Sequence, residues 1–551
     1  MKTKCLIISV LLTSLIFSCA MNGDDNKPNE PKNSEKTSEA TSETPAEKIN
    51  AKSPAVSANR MLISPDGSAV TFTCTAESSD GSLNYQWYTS TDGTEENKSA
   101  IEGATSASYT TEAFTTKEIR YYFCTVTNTI PDNGDKGTKT SSQTTAFYAA
   151  YTGLPLVQIV TSDGQMPTPS KEKHNGRMYL YRNDQLVYDS GEENEFSIKV
   201  RGNATAWYPK HPYKLKLPGK KNLLDLDSSK NKDKNWVLLA GYCDKTLLRS
   251  KIGFYTASLF NDINSNEKLY IPNSEFVDVV INGEYLGNYC LTDSVKEGKD
   301  RLSVNEKVSE TGGIGCVAEY DPGYYVNEPK WIISDKKKYP YTFKFPDADD
   351  NDAIVYSAIA AFGEYINKFE SAFYDSETSD DWKNYIDVES FARWFLVHNI
   401  LKNVDTNYFF SKKTSDASSK FIMGPVWDFE WSIGIGWYEG SRPAPADGWC
   451  VNGWYFNNLL SKDEFKAELR SQWDKLTSLY PNLADTINSK MNEWANEIEI
   501  SQKMNFKKWD ILNQRVSVGG IPLGSYEAEL ECDKQFIINR IQWLGDAINS
   551  L

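Results

Sequence analysis

Asp405 and Asp428 are the two residues of this chain whose type and spacing point most directly to chemistry. Two carboxylates converging on one point serve phosphoryl transfer, in which one holds the divalent cation that bridges the phosphates and the other orients or deprotonates the attacking hydroxyl. They also serve glycoside hydrolysis, where the pair divides acid and base roles. A magnesium or manganese ion suits the first chemistry, because hard cations prefer oxygen ligands and magnesium keeps several waters, so that one or two protein carboxylates suffice.

Local pattern supplies the elements that would bring the pair together. From Val388 to about Asn403 the spacing predicts a helix with Phe391, Trp394, Phe395, His398 and Leu401 on its apolar side and Asp387 as its N-terminal cap. The helix stops just before Asp405. Asn407 to Lys412 and Lys420 to Gly424 then read as two strands around a polar turn. If that hairpin turns between Asp416 and Ala417, its pairs are symmetric about that point, and so are Asp405 and Asp428. Both aspartates therefore fall at the open end of the ladder.

Phosphate charge also needs cations. Neither a Gly-x-x-x-x-Gly-Lys-Ser/Thr loop nor an early Gly-x-Gly-x-x-Gly is present. Lys214 and Lys216 alternate with Tyr213, Leu215 and Leu217 and so share one face of a strand, and Arg201 lies in the loop before it. These are the candidate nucleotide-phosphate ligands, with Trp427 or Trp236 as a ring to stack on adenine and core packing as the competing use of each.

Bulk properties narrow the classes. At 551 residues, 40% apolar and 13% aromatic, the chain can build two or three cored domains. Its 59 basic and 75 acidic side chains leave a formal charge of -16, which argues against nucleic acid or an anionic bilayer as a partner and favours a basic protein. Three scattered histidines offer neither a histidine-rich zinc site nor a Ser-His-Asp triad.

Lys2 and Lys4 precede an apolar run from Leu6 to Phe17, a signal segment too short for an ordinary span. Ile16-Phe17-Ser18-Cys19 resembles a bacterial lipobox, which implies that Cys19, the last residue of the signal segment 1–19, is lipidated and becomes the first residue of the mature protein. The polar stretch 20–54 reads as a flexible tether. The expected location is the bacterial cell envelope, periplasmic or surface-exposed, with the lipid as the sole membrane contact. Of nine cysteines, seven would remain after Cys5 leaves and Cys19 is lipidated, so at least one stays a thiol.

Residues 55–150 show short alternating strands, such as Val70 to Cys74 and Leu83 to Trp87, separated by turn signals. The order Cys74, Trp87, Tyr122, Cys124 resembles the immunoglobulin fold, which implies a small all-β sandwich, a Cys74–Cys124 disulfide and a role as spacer or adhesive module.

From Leu154 to Leu551 the pattern becomes α+β with its helices concentrated late. An ordered series runs through it: Arg201-Gly-Asn-Ala-Thr205, Lys210-His-Pro-Tyr-Lys214, Trp236-Val-Leu-Leu-Ala240, Asp244 and Arg249, Asn282-Gly283, Gly312-Gly313, Glu319-Tyr-Asp321, Asn403-Val-Asp405 and Trp427-Asp428-Phe429. It resembles the spore-coat protein H (CotH) kinase family from about Leu156 to Trp437, and the helical tail is expected to complete one domain over 154–551. The resemblance implies an atypical protein-kinase-like fold that transfers the γ-phosphoryl of ATP to Ser or Thr of a secreted or surface protein. Asp405 would then be the catalytic base and Asp428 the metal ligand. Glu430 stands where the family pattern has a second aspartate, a departure that leaves it as a longer candidate ligand. Arg201, Lys214, Lys216 and Trp427 would lie near ATP. The competing readings are a non-catalytic surface adhesin on a pseudokinase scaffold and a hydrolytic lipoprotein; Asp293 has no evident role, and Ile537, Ile538, Ile541 and Leu544 are expected to form one packing face of the last helix.

Overall fold

A computed structural model describes residues 52–551, apart from residue 80 and segments 132–138, 192–194, 225–229, 264–267, 308–312, 347–352, 376–379, 417–418, 437–443 and 517–519. Cys19, the signal segment and nearly all of the tether lie outside the described residues.

Eight strands come first: β1 (Ala55–Ala58), β2 (Met61–Ile63), β3 (Thr71–Glu77), β4 (Ser82–Ser90), β5 (Lys98–Ala100), β6 (Ser108–Thr110), β7 (Glu118–Ile130) and β8 (Lys139–Tyr151). They form two facing sheets, β1-β3-β6 and β2-β8-β7-β4-β5. Alternation decides the interior: Phe72 and Cys74 point inward from β3 between exposed threonines and join Trp87, Tyr122, Cys124 and Phe147 in one core. Cys74 and Cys124 meet there as two thiols in side-chain contact, not as the disulfide expected from the immunoglobulin resemblance. All seven cysteines among the described residues are thiols.

The sandwich is seated on the larger domain. Ile63 and Ala150 share a small core with Leu156, Val280, Tyr285 and Met504, and the Lys507 ammonium lies 5.6 and 5.3 Å from the rings of Tyr121 and Tyr148.

Next come β9 (Leu156–Thr161), β10 (His174–Arg182), β11 (Gln185–Asp189), β12 (Phe196–Val200), β13 (Tyr213–Lys221), β14 (Asp233–Leu239), α1 (Arg249–Asp262), β15 (Ser274–Ile281) and β16 (Glu284–Asp293). The strands pair in the order β11-β10-β12-β13-β14-β16-β15-β9, and β9 pairs back onto β10, so the sheet closes on itself around Ile198, Leu215, Trp236 and Leu291. On β13, Tyr213, Leu215 and Leu217 fill this interior while Lys214 and Lys216 face out, as their alternation requires.

The remainder comprises β17 (Cys316–Tyr320), β18 (Trp331–Ile333), β19 (Pro340–Phe345), α2 (Ala353–Tyr374), α3 (Val388–Ile400), β20 (Tyr408–Lys412), β21 (Phe421–Met423), α4 (Phe456–Leu459), α5 (Asp463–Leu479), α6 (Leu483–Glu497), α7 (Glu499–Lys508) and α8 (Tyr526–Asn549). A second sheet, β18-β19-β17-β20-β21, packs with these helices around a large aromatic core. Helix α3 is the axis of this half. It is buried on all sides from Ser390 to Ile400, not along one apolar side, because α1, α5 and α8 surround it. Part of its buried polar inventory is paired, as Arg393 donates to Gln472 and Arg540 of α8 donates to the Asn399 carbonyl at 2.6 Å, whereas Trp394 Nε1 and His398 Nε2 are buried without a hydrogen-bond partner among the described residues. On α8 the inward face is Phe536, Ile537, Arg540, Leu544 and Ile548, whereas Ile538 is exposed. A helical residue one step from Ile537 turns by about 100° and leaves the seam, so the run of isoleucines overstated the buried face. Among the described residues no helix is long and apolar enough to cross a membrane.

Candidate functional site

Asp387 caps α3 through an acceptor oxygen 2.7 Å from the Ser390 amide, as the sequence suggests. Lys402 takes a left-handed conformation (φ 46°), which turns the chain out of the helix. Asn403 follows and joins both halves of the site. Its side-chain amide donates to the Asp428 carbonyl at 2.8 Å and contacts His398 Nδ1 at 3.1 Å, while its oxygen accepts from the Asp405 amide at 3.3 Å. The hairpin has the expected register, with Phe410 opposite Met423 and Lys412 opposite Phe421, which carries the chain back to Asp428.

Asp428 itself has φ 61°, a conformation that aspartate tolerates better than most side chains. Phe429 anchors it from below. The ring stacks on His398 at 5.1 Å and 13°, meets Phe254 edge-on, and lies so close to Gly253 of α1 that a Cβ there would fall 2.1 Å from it. Downstream, the buried Arg249 guanidinium donates to the Ser432 carbonyl at 3.0 Å and pairs with Asp244 and Asp533. Asp244 and Arg249 thus clamp the Asp428 loop from behind.

Solvent reaches Asp405 and Asp428 from an open side, while protein encloses the rest of each carboxylate. Desolvation raises the pKa of Asp405. Desolvation, then the charge of Asp405, pushes Asp428 up to about 7 against the opposing pull of Arg201. Glu430 is pushed up to about 7 as well, by desolvation and then by Asp428. One Glu430 oxygen accepts from the Gly241 amide at 3.2 Å, which turns part of the side chain toward the β14–α1 connection.

Arg201, in the loop after β12, faces these acids, and lysines of the closed sheet stand near it. Arg201 lies 5.8 Å from the Trp427 ring and feels Asp428, Glu430 and Glu319. Lys214 is paired across the ladder with Lys199, and desolvation followed by Lys199, Arg201, Lys296 and Lys216 lowers its pKa. Among the described residues Lys199, Lys214 and Lys216 have no ion-pair partner. Like charges placed directly opposite are unfavourable in a free strand pair and favour an anion above them.

Other residues of the series are structural. Trp427 is buried between Phe254 at 5.9 Å and Arg201, so a ring stacked on that face would have to displace the guanidinium. Trp236 is fully buried inside the closed sheet. Asp293 is a buried acceptor hub for Asn231, Tyr270 and Asn273. Lys210 is buried with Asn505 as a partner at 2.9 Å. Glu319 of the series has a tethering place. On β17 it pairs with Lys344 at 3.1 Å and accepts from Asn407 at 2.9 Å, tethering the chain two residues beyond Asp405. Its place in an ordered series was the one signal for it.

No three carboxylates, imidazoles or thiols converge as a metal cage among the described residues. The donor set does fit a hard cation held by one or two carboxylates and completed by phosphate and water: Asp428 is reachable, and desolvation together with the charge of Asp405 outweighs the pull of Arg201 in raising its pKa.

The site is thus two loop carboxylates held together by Asn403 beside the Arg201 guanidinium, with the Lys199–Lys214 pair on β12 and β13. The family model described as CotH kinase protein matches residues 198–544, and the chain belongs to that family. Comparison with curated proteins returns no match.

Proposed function

We propose that the chain is an exported, lipid-anchored atypical kinase that transfers the γ-phosphoryl of ATP to Ser or Thr hydroxyls of secreted or surface proteins, with an immunoglobulin-like module before its kinase domain. The observation that carries the reading is the Asn403 tie, which holds the loops of Asp405 and Asp428 together opposite Arg201. Lys214, Lys216 and Lys199 bind the polyphosphate and Arg201 orients it. Asp428 holds magnesium or manganese, with Glu430 as the second candidate. When bound, the ion neutralises phosphate charge. Asp405 accepts the proton of the acceptor hydroxyl as its oxygen attacks the γ-phosphorus, the bond to the β,γ-bridging oxygen breaks, and ADP leaves. The raised pKa of Asp405 strengthens it as a base.

The test incubates the full chain with γ-labelled ATP, magnesium or manganese, and basic Ser-rich proteins. Label on the acceptor, lost in Asp405→Asn and Asp428→Ala, is expected. No label, or equal labelling by Asp428→Ala, refutes the mechanism and leaves a binding protein on the same scaffold.

A further inference from the structure

A row of rings begins beside the carboxylates, where Gly241, the chain neighbour of Tyr242, donates its amide to Glu430 at 3.2 Å. Tyr208 ends the loop that starts at Arg201, and the charges of Glu430 and Asp405 are both felt at its phenol. Its ring stacks on Tyr242 with centroids 5.4 Å apart, and Tyr242 meets Trp509 edge-on at 6.2 Å. All three rings are half-buried, and the Trp509 indole N–H is fixed on the Leu286 carbonyl at 2.8 Å. Next to Tyr208 in the chain, Trp207 is 76% exposed, more than any other large apolar side chain among the described residues.

Single exposed rings are ordinary, but a run of them that begins at reacting groups has the character of a recognition surface. The lysines proposed for the polyphosphate, Lys199, Lys214 and Lys216, lie on β12 and β13, outside this row. The row therefore lies free for the other substrate. We infer that Trp207, Tyr208, Tyr242 and Trp509 dock an extended, basic segment of the acceptor polypeptide that carries an aromatic or large aliphatic side chain near its Ser or Thr. This deepens, and rests on, the kinase reading. The charge argument comes from the strip itself: Glu430 and Asp405 stand at its inner end, exposed Asp510 follows Trp509, and the chain as a whole carries -16. From Tyr208 to Trp509 the ring centroids span at most about 12 Å, or three to four residues of extended chain.

Two synthetic peptides test this with the full chain, one with Phe two residues before a Ser flanked by lysines and one with Ala in its place. The Phe peptide should show a KM about tenfold lower, and Trp207→Ala should abolish that preference while changing the KM for ATP less than twofold. Trp207→Phe, which keeps a ring, should retain most of it. Equal KM values for the two peptides with the parent chain overturn the inference, and so does a Trp207→Ala effect that falls on ATP instead. If the parent transfers no phosphate, the kinase reading fails, and fluorescence anisotropy of the labelled peptides decides the docking site separately: tighter binding of the Phe peptide that depends on Trp207 sustains it, and equal binding overturns it.

Discussion

Replacing Gly253 by alanine should invert a common rule. In an open helix the change is stabilising by about 1 kcal/mol, because glycine loses more backbone entropy and alanine is the better helix former. Here the added Cβ would stand 2.1 Å from Phe429 Cδ2 and 2.4 Å from Cγ and Cε2, far inside contact distance. The ring has little room to retreat, since it is fully buried with His398 stacked on it and Phe254 at its edge. Overpacking of this kind costs about 1–3 kcal/mol, which equals or exceeds the helix-propensity gain. Displacement of Phe429 also moves its chain neighbours Asp428 and Glu430. Gly253→Ala is therefore expected to lower the urea midpoint, or at best leave it unchanged, and to reduce metal-dependent phosphoryl transfer at least tenfold. Gly253→Ala with Phe429→Leu should recover part of the lost stability by making room. A single variant more stable than the parent and fully active would show that the close approach does not hold the metal loop.

Asn403→Ala removes the tie between the two aspartate loops and exposes buried acceptors to a loss of about 1–3 kcal/mol, read in the urea midpoint, with transfer falling as Asp405 and Asp428 lose their common anchor. Buried His398 has its pKa pushed down to about 3 by desolvation, so the unfolded chain takes up the proton first. Stability should fall as pH drops below about 6.5, by about 2 kcal/mol at pH 5, and His398→Gln should flatten that part of the urea-midpoint profile. Lys214→Ala relieves the repulsion with Lys199, so the thermal midpoint of the free protein should hold or rise while ATP affinity and its salt dependence both decrease in titration calorimetry.

The sequence by itself determined the local pieces. Asp387 as cap, the end of α3 before Asp405, the β20–β21 register and the inward residues of β13 follow from short-range rules: hydrogen-bond inventory at a helix end, symmetry about a turn, and alternation on a strand. Tertiary structure decided what faces what. Arg201 meets Asp428 and Trp427 across more than two hundred residues because the closed sheet docks against the helical half, a contact that no periodicity encodes. The same holds for Glu319 beneath Asn407, for Arg249 reaching Asp533 on α8, and for the rows of isoleucines on α8, of which the neighbouring helices chose one side. Local pattern fixes which side chains a segment can present, and only the packed core fixes to whom it presents them.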